Sequence, residues 1–230
     1  MPRVFTIALL AVALLPLRAA AQAPARPPAP PDSTFYSVSY IEVKPSSRTQ
    51  AVATLKQYRE ATHRDDFNIR LELFEQADRA GHFVIVETWR TAAAFDARAA
   101  ARTQLADSLE TMRVSGWDTR PYKTLSVASG PADATNKSVY VISHVDVAPD
   151  PKVAAMLTTL AQASRLEDGN IRFDVLLHTM RSNHFEVIET WKSEKALENH
   201  AAAAHTKKYR DDLQAALGSP LDERVYKAIE

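Results

Sequence analysis

The chain contains no cysteine in 230 residues. That absence excludes disulfides, thiolate metal centres, a cysteine nucleophile and a lipid-modified N-terminal cysteine. An excess of one charge sign is missing too, with 28 Lys and Arg against 28 Asp and Glu, so no basic field exists to recruit nucleic acid or an anionic membrane. The apolar run from Val4 to Leu15 is shorter than the roughly 20 residues a spanning helix needs. With Arg3 ahead of it, and Ala19 and Ala21 at the −3 and −1 positions of a cleavage site, it reads as a secretory signal peptide over 1–21. The expectation is an exported protein, periplasmic or secreted, with no membrane span after cleavage. Loss of Arg3 and Arg18 with the signal leaves 26 of the 28 basic residues against 28 acidic ones, close to neutrality.

What is present begins with proline. Pro24, Pro27, Pro28, Pro30 and Pro31 make residues 22–34 an extended spacer. Beyond it, 46% hydrophobic content supports one or two compact domains with a packed core. The remainder repeats itself. "YSVSYIEVKP" from Tyr36 answers "YVISHVDVAP" from Tyr140; "NIRLELF" from Asn68 answers "NIRFDVL" from Asn170; "HFVIVETW" from His82 answers "HFEVIETW" from His184; "DTRPYKTL" from Asp118 answers "DERVYKAI" from Asp222. Similarity in the same order, at nearly constant offset, marks a duplication. The repeats span 35–128 and 138–230, with a linker over 129–137.

Each repeat carries the same succession of periodicities. Val38, Tyr40 and Glu42 alternate with Ile41 and Val43, and a helical stretch opens at Pro45 and Ser46 and continues through Leu55 and Tyr58. Two β-rich runs follow around the turn "ADRAGH", then an Ala-rich helix from about Ala92 to Val114, then a strand near Tyr122 to Val127. The order is βαββαβ, the ferredoxin-like split unit, and the class is α+β. Such a unit covers one sheet face with helices and leaves the other bare. Two repeats packed sheet to sheet bury both bare faces, so the chain is expected as a monomeric pseudo-dimer, or as a homodimer of such chains.

The second long helix carries the chemistry-bearing residues. Ser193 is a plausible N-cap just after Trp191. At 100° per residue Leu197 and Leu213 fall about 160° apart, so one straight helix cannot bury both, and a bend is expected near 201–204. Ala196, Leu197, His200 and Ala204 then form one inward stripe and His205, Tyr209, Leu213 and Leu217 another. A zinc site is not expected, because i, i+5 spacing sets His200 and His205 about 140° apart on a helix.

"ETW" followed by His200 at +9, His205 at +14 and Tyr209 four later resembles the antibiotic biosynthesis monooxygenase (ABM) domain, including its quinol monooxygenase-like members. Glu189, Trp191, His200, His205 and Tyr209 match that pattern. The resemblance covers the second repeat and, more loosely, the first. It implies a dimeric α+β barrel fold and oxygen insertion into quinols, hydroxyarenes or anthrone-like rings, with a small aromatic substrate and O₂ as partners and no flavin, metal or heme as cofactor. A deprotonated hydroxyarene is electron-rich enough to reduce O₂ directly, so such a site needs a dry aromatic-lined pocket and a base. On this reading His200 or His205 is the base, Trp191 stacks on the ring, Asn170, Arg172 and Tyr209 orient or stabilise the oxyanion, and Glu189 and His144 line the same pocket.

Each assignment has a structural counterpart. Trp89 occupies the slot of Trp191 in a repeat lacking the histidines, which favours core for both indoles. His82 and His184 recur together at hairpins, which favours architecture. Arg98 and Thr103 stand where the second repeat has His200 and His205, and arginine is no base at ordinary pH, so one site per chain is expected. A heme-degrading branch of this fold carries Trp nine residues after the first and His ten further on; here those places hold His200 and Arg210. The rival reading is a non-catalytic exported protein that binds a small apolar ligand or serves assembly.

Overall fold

A computed structural model describes residues 33–128, 134, 135 and 137–230. The signal peptide read over 1–21 lies outside the described residues, as do most of the spacer at 22–34 and of the linker at 129–137.

The first repeat runs β1 (Phe35–Glu42), α1 (Arg48–Thr62), β2 (Asn68–Gln76), β3 (His82–Trp89), α2 (Ala92–Ala97), α3 (Ala99–Leu109) and β4 (Asp118–Ser126). The second runs β5 (Val139–Asp146), α4 (Pro151–Ser164), β6 (Asn170–His178), β7 (His184–Trp191), α5 (Glu194–Ala202), α6 (Ala204–Gln214) and β8 (Asp222–Ala228). Both follow the βαββαβ order, with one difference from the expected elements. The Ala-rich helix of the first repeat starts under a Thr91 cap, is interrupted at Arg98, where the backbone (φ −95°, ψ 14°) leaves the helical region, and ends at Leu109.

The eight strands close in the order β1-β3-β2-β8-β5-β7-β6-β4. Within each repeat the pairing is antiparallel and in the same register, down to a bulge at Asn68/Arg70 that returns at Asn170/Arg172. Short seams join the repeats: Phe74↔Ala228 to Gln76↔Tyr226 on one side, and Tyr122↔His178 to Ser126↔Val175 on the other. Closure leaves the sheet without an open edge.

Strand alternation sorts side chains into three cores. Val38, Phe74, Tyr122, Ile142, Leu176 and Tyr226 meet inside the barrel. Leu55, Leu73, Ile85 and Leu109 pack between the first sheet face and its helices; Leu157, Phe173, Val187, Trp191 and Leu213 do so in the second repeat. Each such side chain contributes about 1.5–3 kcal/mol by leaving water. Both faces of β3 and β7 are therefore buried, whereas β4 and β8 keep an exposed outer face. Among the described residues no helix is long and apolar enough to cross a membrane.

Candidate active site

Ser193 caps α5 as its sequence suggests, its hydroxyl accepting from the Ala196 amide at 3.2 Å. The bend expected at 201–204 falls at Ala203, whose extended backbone (φ −62°, ψ 144°) separates α5 from α6. This break cancels the 140° separation on which the exclusion of a shared metal rested. His200 at the end of α5 and His205 at the start of α6 converge on one carboxylate. His200 Nδ1 lies 2.6 Å and His205 Nε2 2.9 Å from the same Oε1 of Glu167.

Glu167, in the turn between α4 and β6, is absent from the sequence-derived set. Two features bring α5 to it. Gly169 adopts φ +88°, and a Cβ there would stand 2.6 Å from the Ala196 Cβ, so only glycine lets the helix approach this closely. Across the sheet face, the His200 ring lies on the Trp191 indole with centroids 4.6 Å apart and planes at 31°, and 5.7 Å from the Phe173 ring. His200 is 4% exposed, and burial lowers its pKa below the ordinary imidazole value against the opposing pull of Glu167.

Glu189 and Trp191 project from β7 toward the same helices. The indole Nε1–H donates to Glu189 Oε2 at 2.8 Å, as that of Trp89 does to Glu87. In the first repeat the second oxygen of Glu87 accepts from the Tyr58 hydroxyl at 2.6 Å; Leu160 stands there in the second repeat. Glu189 instead faces His200 Nε2 at 3.9 Å, outside hydrogen-bonding reach. Burial pushes its pKa up to about 8. Tyr209, 8% exposed, has its phenol pKa raised by burial first and by the nearby Glu189 second.

Three residues assigned to this pocket lie elsewhere. Arg172 and His144 alternate with Phe173 and Val145, so their side chains enter the barrel on the opposite face of the sheet. Arg172 binds Asp174 at 2.5 Å and, across the barrel, Glu72 at 2.7 Å. His144 Nδ1 lies 3.3 Å from Glu186, a fully buried acid that also accepts from the Tyr122 hydroxyl at 2.7 Å and from Tyr40. Asn170 is spent on its bulge, donating to the Arg172 carbonyl at 3.3 Å as Asn68 does to that of Arg70. The imidazole of His184 meets Asp146 at 3.3 Å across β5–β7 and that of His82 meets Glu42 at 3.2 Å across β1–β3, matching cross-strand contacts in the two repeats. The group on one face is thus Glu167, Glu189, Trp191, His200, His205 and Tyr209.

In the first repeat Asp65 aligns with Glu167, and Arg98 reaches it at 3.8 Å from the position of His200. The same loop-to-helix tie exists twice, once with a fixed cation and once with two imidazoles.

An eight-stranded barrel closed from two fused ferredoxin-like units defines the class of duplicated dimeric α+β barrels. The chain belongs to the Antibiotic biosynthesis monooxygenase family, which matches residues 34–106 and 139–212, one copy per repeat. A stretch of 64 residues is 34% identical to "Putative monooxygenase YcnE" of Bacillus subtilis, covering 28% of this chain and 67% of that protein. The crystal structure of a "Putative monooxygenase" from Fusobacterium nucleatum superposes with a TM-score of 0.77 at 15% identity, over 86% of this chain and 94% of that one. An anthrone oxidase-like protein follows the same fold, with a TM-score of 0.67, 11% identity and coverage of 86% and 92%.

Proposed function

We propose that the second repeat carries a monooxygenase site for an electron-rich quinol, hydroxyarene or anthrone-like ring, using O₂ without flavin or heme. The observation that carries the reading is the seating of His200. It is buried against Trp191, and Glu167 takes its Nδ1–H, which leaves the Nε2 lone pair facing inward over the β7 face. That nitrogen removes the substrate's phenolic proton, and the resulting anion reduces O₂. One oxygen atom enters the ring, the other leaves as water, and the substrate supplies all the electrons: a quinol and O₂ give a hydroxyquinone and water. Trp191 holds the His200 imidazole in place from beneath, and Tyr209 and protonated Glu189 are the polar groups nearest the developing oxyanion. Family membership supports the reaction type, and the anthrone oxidase-like neighbour suggests the substrate class. Exchange of His200 for Gln keeps size and polarity but removes the base, so oxygen uptake with a menadiol-like quinol should fall by about 10²–10⁴. Unchanged uptake in His200→Gln discards the assignment.

The activity belongs outside the cytoplasm on the reading of residues 1–21 as an export signal. N-terminal sequencing of the protein recovered from the producing cell should begin at Gln22. Retention of Met1 contradicts export by this signal.

A further inference from the structure

We propose that Glu167, His200 and His205 form a binding site for a divalent transition-metal ion, with Glu167 Oε1, His200 Nδ1 and His205 Nε2 as ligands. All three donor atoms lie within 4.8 Å of one another, and two imidazoles with one carboxylate suit Zn²⁺ and its neighbours. The ligands come from three elements, the α4–β6 turn, the end of α5 and the start of α6, so the site exists only because the helix breaks at Ala203. The Nε2 side of the His200 ring turns inward toward Glu189, 3.9 Å away, so Nδ1 is the nitrogen that meets the other two ligands. The His205 side chain is 32% exposed and that of Glu167 16%, which leaves a path for the ion and for a water ligand. The first repeat supplies an internal comparison: Arg98 puts a permanent cation against Asp65 where the second repeat sets neutral-capable imidazoles against Glu167. A bound cation is the charge counterpart of that guanidinium.

Occupancy has a consequence for the proposed chemistry. Coordination through Nδ1 moves the imidazole proton of His200 to Nε2, toward Glu189, and removes the inward lone pair that takes the substrate's proton. Ion and substrate deprotonation therefore exclude each other. The site itself does not rest on the oxygenase reading, since it is measured without substrate.

Zn²⁺ titrated calorimetrically into the metal-stripped, signal-free full chain should bind at one ion per chain. Glu167→Gln and His205→Gln should each weaken it by at least about tenfold, with melting temperatures confirming that both variants fold. Asp65→Asn, the first-repeat counterpart, should bind as the parent does. Co²⁺ as a second probe should give tetrahedral visible bands that both ligand variants lose. Absence of saturable binding overturns the proposal, as does binding that survives both substitutions. Binding abolished by His178→Gln instead would place the ion among His144, His178 and His184 and overturns it equally. With a quinol that the protein oxidises, saturating Zn²⁺ should stop oxygen uptake; uptake unaffected at a filled site overturns the coupling between ion and tautomer.

Discussion

Arg172 sits inside the barrel as the cation between two acids, 6% exposed, with Asp174 at 4%. Its removal leaves buried carboxylate charge without compensation. Arg172→Met should therefore destabilise the fold by about 3–5 kcal/mol, read as a shift in the urea midpoint, while oxygen uptake at a temperature where the variant is folded stays near the parent value. A variant that is stable but inactive would return Arg172 to the site. The sequence could not settle this point. Polar residues in a strand normally point to water, but here both faces of β6 are covered, so alternation told which residues share a face without telling which face holds the site. Glu167 escaped notice for another reason. It lies 33 residues before His200, in a turn with no periodicity, and its one signal was the pairing of acids between repeats: Asp65 opposite Arg98, Glu167 opposite His200.

At the scale of elements, the α5–α6 pair owes its position to Gly169. Replacement by Ala forces an L-residue into φ +88° and drives a methyl group into Ala196, so Gly169→Ala should cost about 1–3 kcal/mol. It should also loosen His200 from Glu167 and lower oxygen uptake beyond what the stability loss explains. A crystal structure or hydrogen exchange across 194–214 showing α5 unmoved would refute this role. The βαββαβ succession of elements and the helix bend were legible in advance, because period-2 runs and the impossibility of burying both Leu197 and Leu213 on one straight helix are properties of the sequence alone. The interruption of the first repeat at Arg98 was not, since an alanine-rich segment carries almost no information about where its helix stops.

For the whole molecule, acid should act through histidines. His178 and His184 are both held below the ordinary imidazole pKa, by burial first, with their mutual repulsion adding to it in His178; their rings stand 6.1 Å apart, and His144 is 5.6 Å from His184. With the folded pKa depressed, the unfolded chain binds protons more readily, so stability falls as pH drops below about 6.5 toward the folded values and is constant again beneath them. These histidines should lower the melting temperature between pH 7.5 and pH 5, while Glu189, whose pKa burial raises, acts with the opposite sign over the same window. His178→Gln, which installs the first repeat's Gln76, should therefore raise the melting temperature at pH 5 relative to pH 7.5 when compared with the parent, and an unchanged difference would exclude a contribution from this cluster.

The internal duplication also predicts how the repeats behave alone. Residues 138–230 expressed without the first repeat expose Tyr140, Ile142, Leu176, Ile188 and Tyr226 from the barrel interior, so light scattering should find a self-associated species and no folded monomer. A folded monomer at micromolar concentration would show that the interior is dispensable.

Joining the two units in one polypeptide changes what the lumen is allowed to contain. Glu186 occupies the place that Val84 holds in the other unit, and its acid group is shared by Tyr40 and Tyr122 from one side of the pseudo-twofold and His144 from the other. Two identical subunits could not have this arrangement, because any residue introduced there would appear twice and seal a pair of acids in one dry interior. Covalent fusion thus lets a single gene vary each wall separately, keeping one as scaffold while the other acquires chemistry.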